Sequence, residues 1–200
     1  MSSEEITRFL ASLFGGGSVA VVGNWIYSNW SARRAREVEA LREQLHLLYG
    51  PLFFLTSQNE ELFKSTDKVR GVYDEYFVGK WSEDENTQNT LDKQAEATIE
   101  LQNTYIARVV KNNERVMDIL EKNWHLADSD DVEVLSRFQV DYTRFMVEVR
   151  EKGKERLPLG VIMKLGPISF MHPDVIAQVR ATFQRKRSRL TKLVGIGADD

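Results

Sequence analysis

Cysteine is absent from the 200 residues. That excludes disulfides, thiol nucleophiles and cysteine-ligated zinc, and it suits a reducing compartment. Proline is scarce, with four in the chain, so long helices can run with few breaks. Histidine is scarce as well. His46, His125 and His172 fall in three separate segments, none with a second histidine or cysteine at ligand spacing. A dominant charge is missing: 27 Lys and Arg stand against 30 Asp and Glu, a net −3. No overall field therefore points to nucleic acid or to a membrane surface. Neither a phosphate-cradling loop nor a nucleophile elbow is present. The run Asp128-Ser129-Asp130-Asp131 has the look of a calcium loop, but it lacks the glycine at the sixth position. It also places Gln139 where the bidentate glutamate belongs. These absences lead to the expectation of a non-enzymatic protein without cofactor or metal.

What the chain does have is an uncharged opening stretch. Phe9 to Ala32 holds 24 residues without one Asp, Glu, Lys or Arg. About 20 helical residues suffice to cross a hydrocarbon core. Trp25, Tyr27 and Trp30 gather at one end, as interfacial aromatics do, and Arg33, Arg34 and Arg36 follow at once. The acidic start, with Glu4 and Glu5, is the wrong flank for a cleaved signal peptide. The basic flank marks the cytoplasmic side. The pattern predicts a single-pass helix in the inner (cytoplasmic) membrane, N-terminus out and C-terminal domain in the cytoplasm. A buried or interfacial helix is the other reading of the same residues, because Gly15, Gly16, Gly17, Gly23 and Asn24 dilute the apolar run. Ser12, Gly16, Ala20 and Asn24 recur at every fourth position. Small residues at that spacing let two membrane helices approach closely, so this face is expected to self-associate.

Helical periodicity continues to the other end. Val38, Leu41, Leu45, Leu48, Leu52 and Leu55 alternate by three and four, a heptad-like seam. Gly50-Pro51 predicts an end or kink near Tyr49, with Pro51 opening the next helix to Phe77. An acidic loop is expected over 79–90, then helices over 91–110, 113–124 and 130–152. Lys111-Asn112-Asn113 reads as a junction in which Asn113 caps. Residues 157–170 are apolar but interrupted by Pro158, Gly160, Gly166 and Pro167. This stretch reads as an apolar loop that packs over the core by default, with a lid, a protein-partner surface or a loop laid on the membrane as the alternatives. Pro173 opens a last helix that is basic, with Arg180, Arg185, Lys186, Arg187, Arg189 and Lys192. Its charges read as a solvated face, as a contact for anionic headgroups, or as a contact for nucleic-acid phosphate, in falling order. The anion contacts expected are Arg33, Arg34, Arg36, Arg185, Lys186, Arg187 and Arg189.

Two stretches together carry a resemblance. One is the apolar segment and charged helix ending Leu48-Tyr49-Gly50-Pro51-Leu52. The other is Asn112-Asn113-Glu114 through Asn123-Trp124-His125-Leu126, with Asp128, Asp130 and Asp131 behind it. In these the chain resembles a loose group of uncharacterised prokaryotic and phage proteins with one membrane helix and a helical cytoplasmic domain. The resemblance implies architecture and brings no catalytic residue.

The reading is an all-α chain: an N-terminal transmembrane helix followed by an antiparallel bundle of about five helices. Its parts are an anchor over 1–32, a cytoplasmic bundle over 33–194 and a tail over 195–200. The expected role is an anchored interaction scaffold whose partners are the bilayer and further copies of itself. The alternative is a membrane-active effector, phage or defence related, that oligomerises through the glycine-rich helix. In detergent, Gly16→Leu is expected to move crosslinked species towards monomer. Identical distributions for the two chains would remove the small-residue face from any role in association.

Overall fold

A computed structural model describes residues 17–77, 80, 83–151 and 173–195, with side chains described for 22–77, 80, 83–147 and 173–195. Among these residues every regular element is helical. Helix α1 (Gly17–Gln44) joins the described part of the uncharged run to the basic segment behind it in one rod of 28 residues. The boundary expected at 32–33 thus falls inside a helix. The described part of the uncharged run, 17–32, would span about 24 Å at about 1.5 Å per residue. Among the described residues no helix is long and apolar enough to cross a membrane. Residues 9–16 of the run lie outside the described residues.

The irregularity expected near Tyr49 takes the form of a π-turn, and Pro51 stands in the first turn of the next helix, as expected. Leu45–Tyr49 forms a π-turn in which the Gly50 N–H donates to the Leu45 carbonyl, and α2 (Gly50–Tyr76) continues directly. Pro51 has no N–H to give, and its ring crowds the carbonyl four residues back. Widening one turn accommodates both problems. The position before the proline must then be glycine. A Cβ on Gly50 would collide with the Leu45 carbonyl oxygen, a backbone atom that cannot swing away.

Helix α3 (Glu85–Asn123) is a single element of 39 residues. It starts earlier than the expected Leu91 because Asp84 caps it, accepting from the Thr87 N–H at 2.8 Å. The expected junction at Asn112-Asn113 does not exist. Both asparagines are fully buried in mid-helix, and their side chains bond across to α2 rather than to their own backbone. A 3₁₀ turn (Trp124–Leu126) leads into α4 (Ser129–Glu151), and α5 (Pro173–Val194) closes the order. The bounds of α2, α4 and α5 agree with the periodicity. The apolar stretch 157–170, expected to pack over the core or to serve as a partner site, and most of the 195–200 tail lie outside the described residues.

The chain forms two compact units, 43–187 and 1–42 with 188–200. In the larger, the heptad seam turns inward: Leu48, Leu52 and Leu55 are buried with Val116 and Leu120 of α3 and Leu135, Phe138, Tyr142 and Phe145 of α4. Val175 and Val179 complete this core from α5. Phe53 stacks on Phe183 at 4.5 Å between centroids. Each such side chain is worth about 1.5–3 kcal/mol on burial. In the smaller unit, Arg34 donates from Nε to the Leu193 carbonyl at 3.0 Å, and Arg189 Nε to Glu37 at 2.6 Å.

Gly50→Ala is expected to lower unfolding free energy by about 1–3 kcal/mol, the usual cost of overpacking. Gly71→Ala, in α2 with nothing within 4 Å of a new Cβ, is expected to raise it by about 0.5–1 kcal/mol. Chemical denaturation of the two variants measures both.

Candidate functional site

The first half of α1 carries large apolar side chains that stay exposed among the described residues. Trp25 and Tyr27 are each 66% exposed, and Val22, Ile26 and Trp30 are more than half exposed. Apolar groups left in water forfeit about 25 cal/mol per Å² relative to burial, which makes these side chains the candidate contact surface of α1. The arginines expected to meet anions follow directly. Arg33 and Arg36 are exposed. Arg34 is half-buried, with its guanidinium 5.3 Å from the centre of the Trp30 ring. Of the expected association face, Asn24 is exposed on α1 and Ala20 is helical. The Ala20 side chain, and Ser12 and Gly16 altogether, lie outside the described residues.

The remaining anion-contact residues split. Arg187 and Arg189 are exposed, Arg189 being tied to Glu37. Arg185 is exposed and donates to Asp128 Oδ2 at 3.1 Å. Lys186 is a correction: only 7% of it is exposed. Its Nζ donates to Asp128 Oδ1 and Gln44 Oε1, each at 2.7 Å, and sits 5.1 Å from the centre of the Tyr49 ring. A lysine held on three sides is withdrawn from any headgroup. It lies on the inward line Val175, Val179, Thr182, Lys186, whose spacing is the signal that could have found it.

Lys186 belongs to a buried polar cluster that the sequence did not reveal. Its centre is Asp131, 1% exposed. Asp131 Oδ2 accepts from the Tyr49 hydroxyl at 2.6 Å, and Oδ1 accepts from Gln178 Nε2 at 2.5 Å and Thr182 Oγ1 at 3.1 Å. The Tyr49 oxygen in turn accepts from the Asp128 N–H at 2.8 Å. A buried carboxylate is tolerable only when its lone pairs are satisfied. Here donors from the π-turn and α5 satisfy one on α4. Burial pushes the Tyr49 phenol well above its ordinary 10.0, and the Asp131 charge adds to this. Tyr142, donating to the Val110 carbonyl at 3.2 Å, is pushed up for the same reason, with Glu114 adding.

A second cluster joins α2 to α3. Asn59 donates to Asn113 Oδ1 at 2.6 Å, and Asn112 donates to Asn59 Oδ1 at 2.9 Å and to Gln58 Oε1 at 3.2 Å. Arg180 pairs with Glu60 close by and, with Lys64, holds the Glu60 carboxyl below its usual range. Beside Gln58 an open groove of about 450 Å³ runs along α2, lined also by Phe54, Leu62 and Arg108.

The chemistry of these groups is mutual. The Asp131 and Lys186 cluster bonds to itself beneath the surface, which suits it to fixing helices. His46 and His125 are exposed, and His172 lies outside the described residues. Among the described residues no group of three or more His, Asp or Glu could hold a metal ion. Comparison of the chain with protein-family models, with curated proteins and with solved structures finds no match.

Tyr49→Phe leaves Asp131 and the Asp128 N–H each one partner short, so it is expected to cost about 1–3 kcal/mol. The pH dependence has a definite sign. A phenol whose folded pKa lies above its unfolded value stabilises fully below the unfolded value and loses that contribution as pH rises past it. Stability is therefore expected to fall from about pH 10 upwards. Denaturation midpoints at successive alkaline pH values should fall less steeply for Tyr49→Phe than for the unaltered chain.

Proposed function

We propose that this protein is a membrane-associated, non-enzymatic helical scaffold. The uncharged end of α1 is its lipid-seeking element and the helices of 43–187 are its interaction body. The observation that carries the reading is the exposed cluster Val22, Trp25, Ile26, Tyr27 and Trp30, followed by Arg33, Arg34 and Arg36. Tryptophan and tyrosine favour the boundary between acyl chains and headgroups, and arginines on one flank favour the anionic leaflet. In this reading the run from Phe9 crosses the inner membrane once and leaves the remaining helices in the cytoplasm. The small-residue face Ser12, Gly16, Ala20 and Asn24 would then set copies side by side.

Flotation of the full chain with vesicles tests it. The unaltered chain is expected to rise with vesicles containing anionic lipid. Trp25→Ser with Trp30→Ser should reduce the floated fraction. A folded, monomeric chain that stays at the bottom of the gradient without detergent would end the membrane reading.

A further inference from the structure

We propose that the outer half of the α2–α3 hairpin is a docking arm for a basic amphipathic helix supplied by a partner protein. The arm is defined by where burial stops. Asn59 is the last buried residue of α2 and Gln102 the first of α3. None of the described residues between 60 and 101 is buried, yet both helices persist there for 17 residues each, about 26 Å at about 1.5 Å per residue. Helices in proteins owe most of their stability to the packing of an apolar face, and two helices alone cannot enclose one.

The apolar positions of the arm are not scattered. The groove lined by Phe54 and Arg108 shows which flank of α2 and which flank of α3 share one side of the hairpin. Val72 lies five full turns beyond Phe54, and Leu101 lies two turns before Arg108, so both fall on that side. Counting outwards from the Asn59–Asn113 bond, Val72 comes level with residues 100 and 101. Tyr76 follows one turn after Val72. Phe54 is 60% exposed, Tyr76 51%, Val72 47% and Leu101 44%. Phe54 and Leu62 at the groove, then Val72, Tyr76 and Leu101 beyond it, place apolar groups along that side towards the tip, with polar Ser57, Glu61 and Ser65 among them.

Charge selects the occupant. Residues 60–101 contain eleven acidic and five basic side chains, a net −6 in a chain whose total is −3. Exposed Glu61, Glu75, Glu96 and Glu100 stand on these outer helices. A second copy of the arm would bring −6 against −6. A helix with Leu-like residues on one side and Lys or Arg on the other would cover these apolar groups and neutralise the acids. That is the helix-in-groove mode of recognition. The proposal does not rest on the membrane reading, because the arm lies wholly within 43–187.

The test uses the full chain in a non-ionic detergent and two fluorescein-labelled helical peptides of about 20 residues. Both carry Leu at heptad a and d positions. One has Lys and the other Glu at the rest. Anisotropy is expected to show binding of the Lys peptide at roughly 50 mM salt and a loss of at least tenfold at roughly 500 mM, with no binding of the Glu peptide. Val72→Lys with Leu101→Lys should weaken the Lys peptide by about tenfold or more, about 1.4 kcal/mol. Val140→Lys, at a residue 57% exposed on α4, should leave it unchanged. Circular dichroism of each variant confirms that helix content is kept. Equal binding of the two peptides, no binding of either, or unchanged affinity in the double variant overturns the proposal. So does a dimer in sedimentation that the double variant dissolves, since the arm would then be covered by a second copy.

Discussion

The Asp131 carboxylate is the constraint around which the larger unit is arranged. It carries a charge at a position 1% exposed, and it is bonded by side chains from the π-turn and from two levels of α5. A buried charge with its partners in place adds little net stability, whereas one that loses a partner is severely destabilising. That asymmetry gives it a specifying role. Apolar residues such as Leu52 or Leu135 pack acceptably in several arrangements, but Asp131 accepts only the arrangement that brings Tyr49, Gln178 and Thr182 to it. The Asp128–Lys186–Gln44 contacts repeat the logic one step away, pinning α5 to the segment before the π-turn.

The asparagine ladder does the same for the hairpin. Asn59, Asn112 and Asn113 sit at positions where periodicity would place leucine. Slipping α2 against α3 by one turn would bury their amides against hydrocarbon, at a cost of about 1–3 kcal/mol for each group left unpaired. The ladder also marks the change in the hairpin's character. On one side of it lies a core of closely packed aliphatic and aromatic residues. On the other lie two helices without a buried side chain and with a pronounced acidic excess.

Much of the fold could be read from the residues alone. The heptad seam from Leu41 to Leu55 is inward as its spacing implies, and the inward lines of α4 and α5 follow their periodicity. What was not legible has a common cause. Asn112 and Asn113 are read locally as a junction and a cap, because in isolation their side chains compete for the backbone. Tertiary partners overrule that preference: amide bonds across the hairpin occupy both asparagines. Asp131 reads locally as a helix-start acid that favours the dipole, and nothing in one sequence shows that Tyr49 and Thr182 converge on it. The exposed α1 cluster was legible because it needs no partner to be recognised: Trp25, Tyr27 and Trp30 stand next to three arginines.

The five-residue turn at Leu45–Tyr49 inserts one residue more than an α-helical turn allows. Leu48 and Tyr49 within the turn and Leu52 just past it are all buried. A backbone group that lost its partner there would have no water to replace it. The wide turn lets Pro51 sit beside that interior while the Gly50 N–H keeps an acceptor, the Leu45 carbonyl. Backbone satisfaction in a dry place, rather than helix propensity, is what Gly50 and Pro51 preserve.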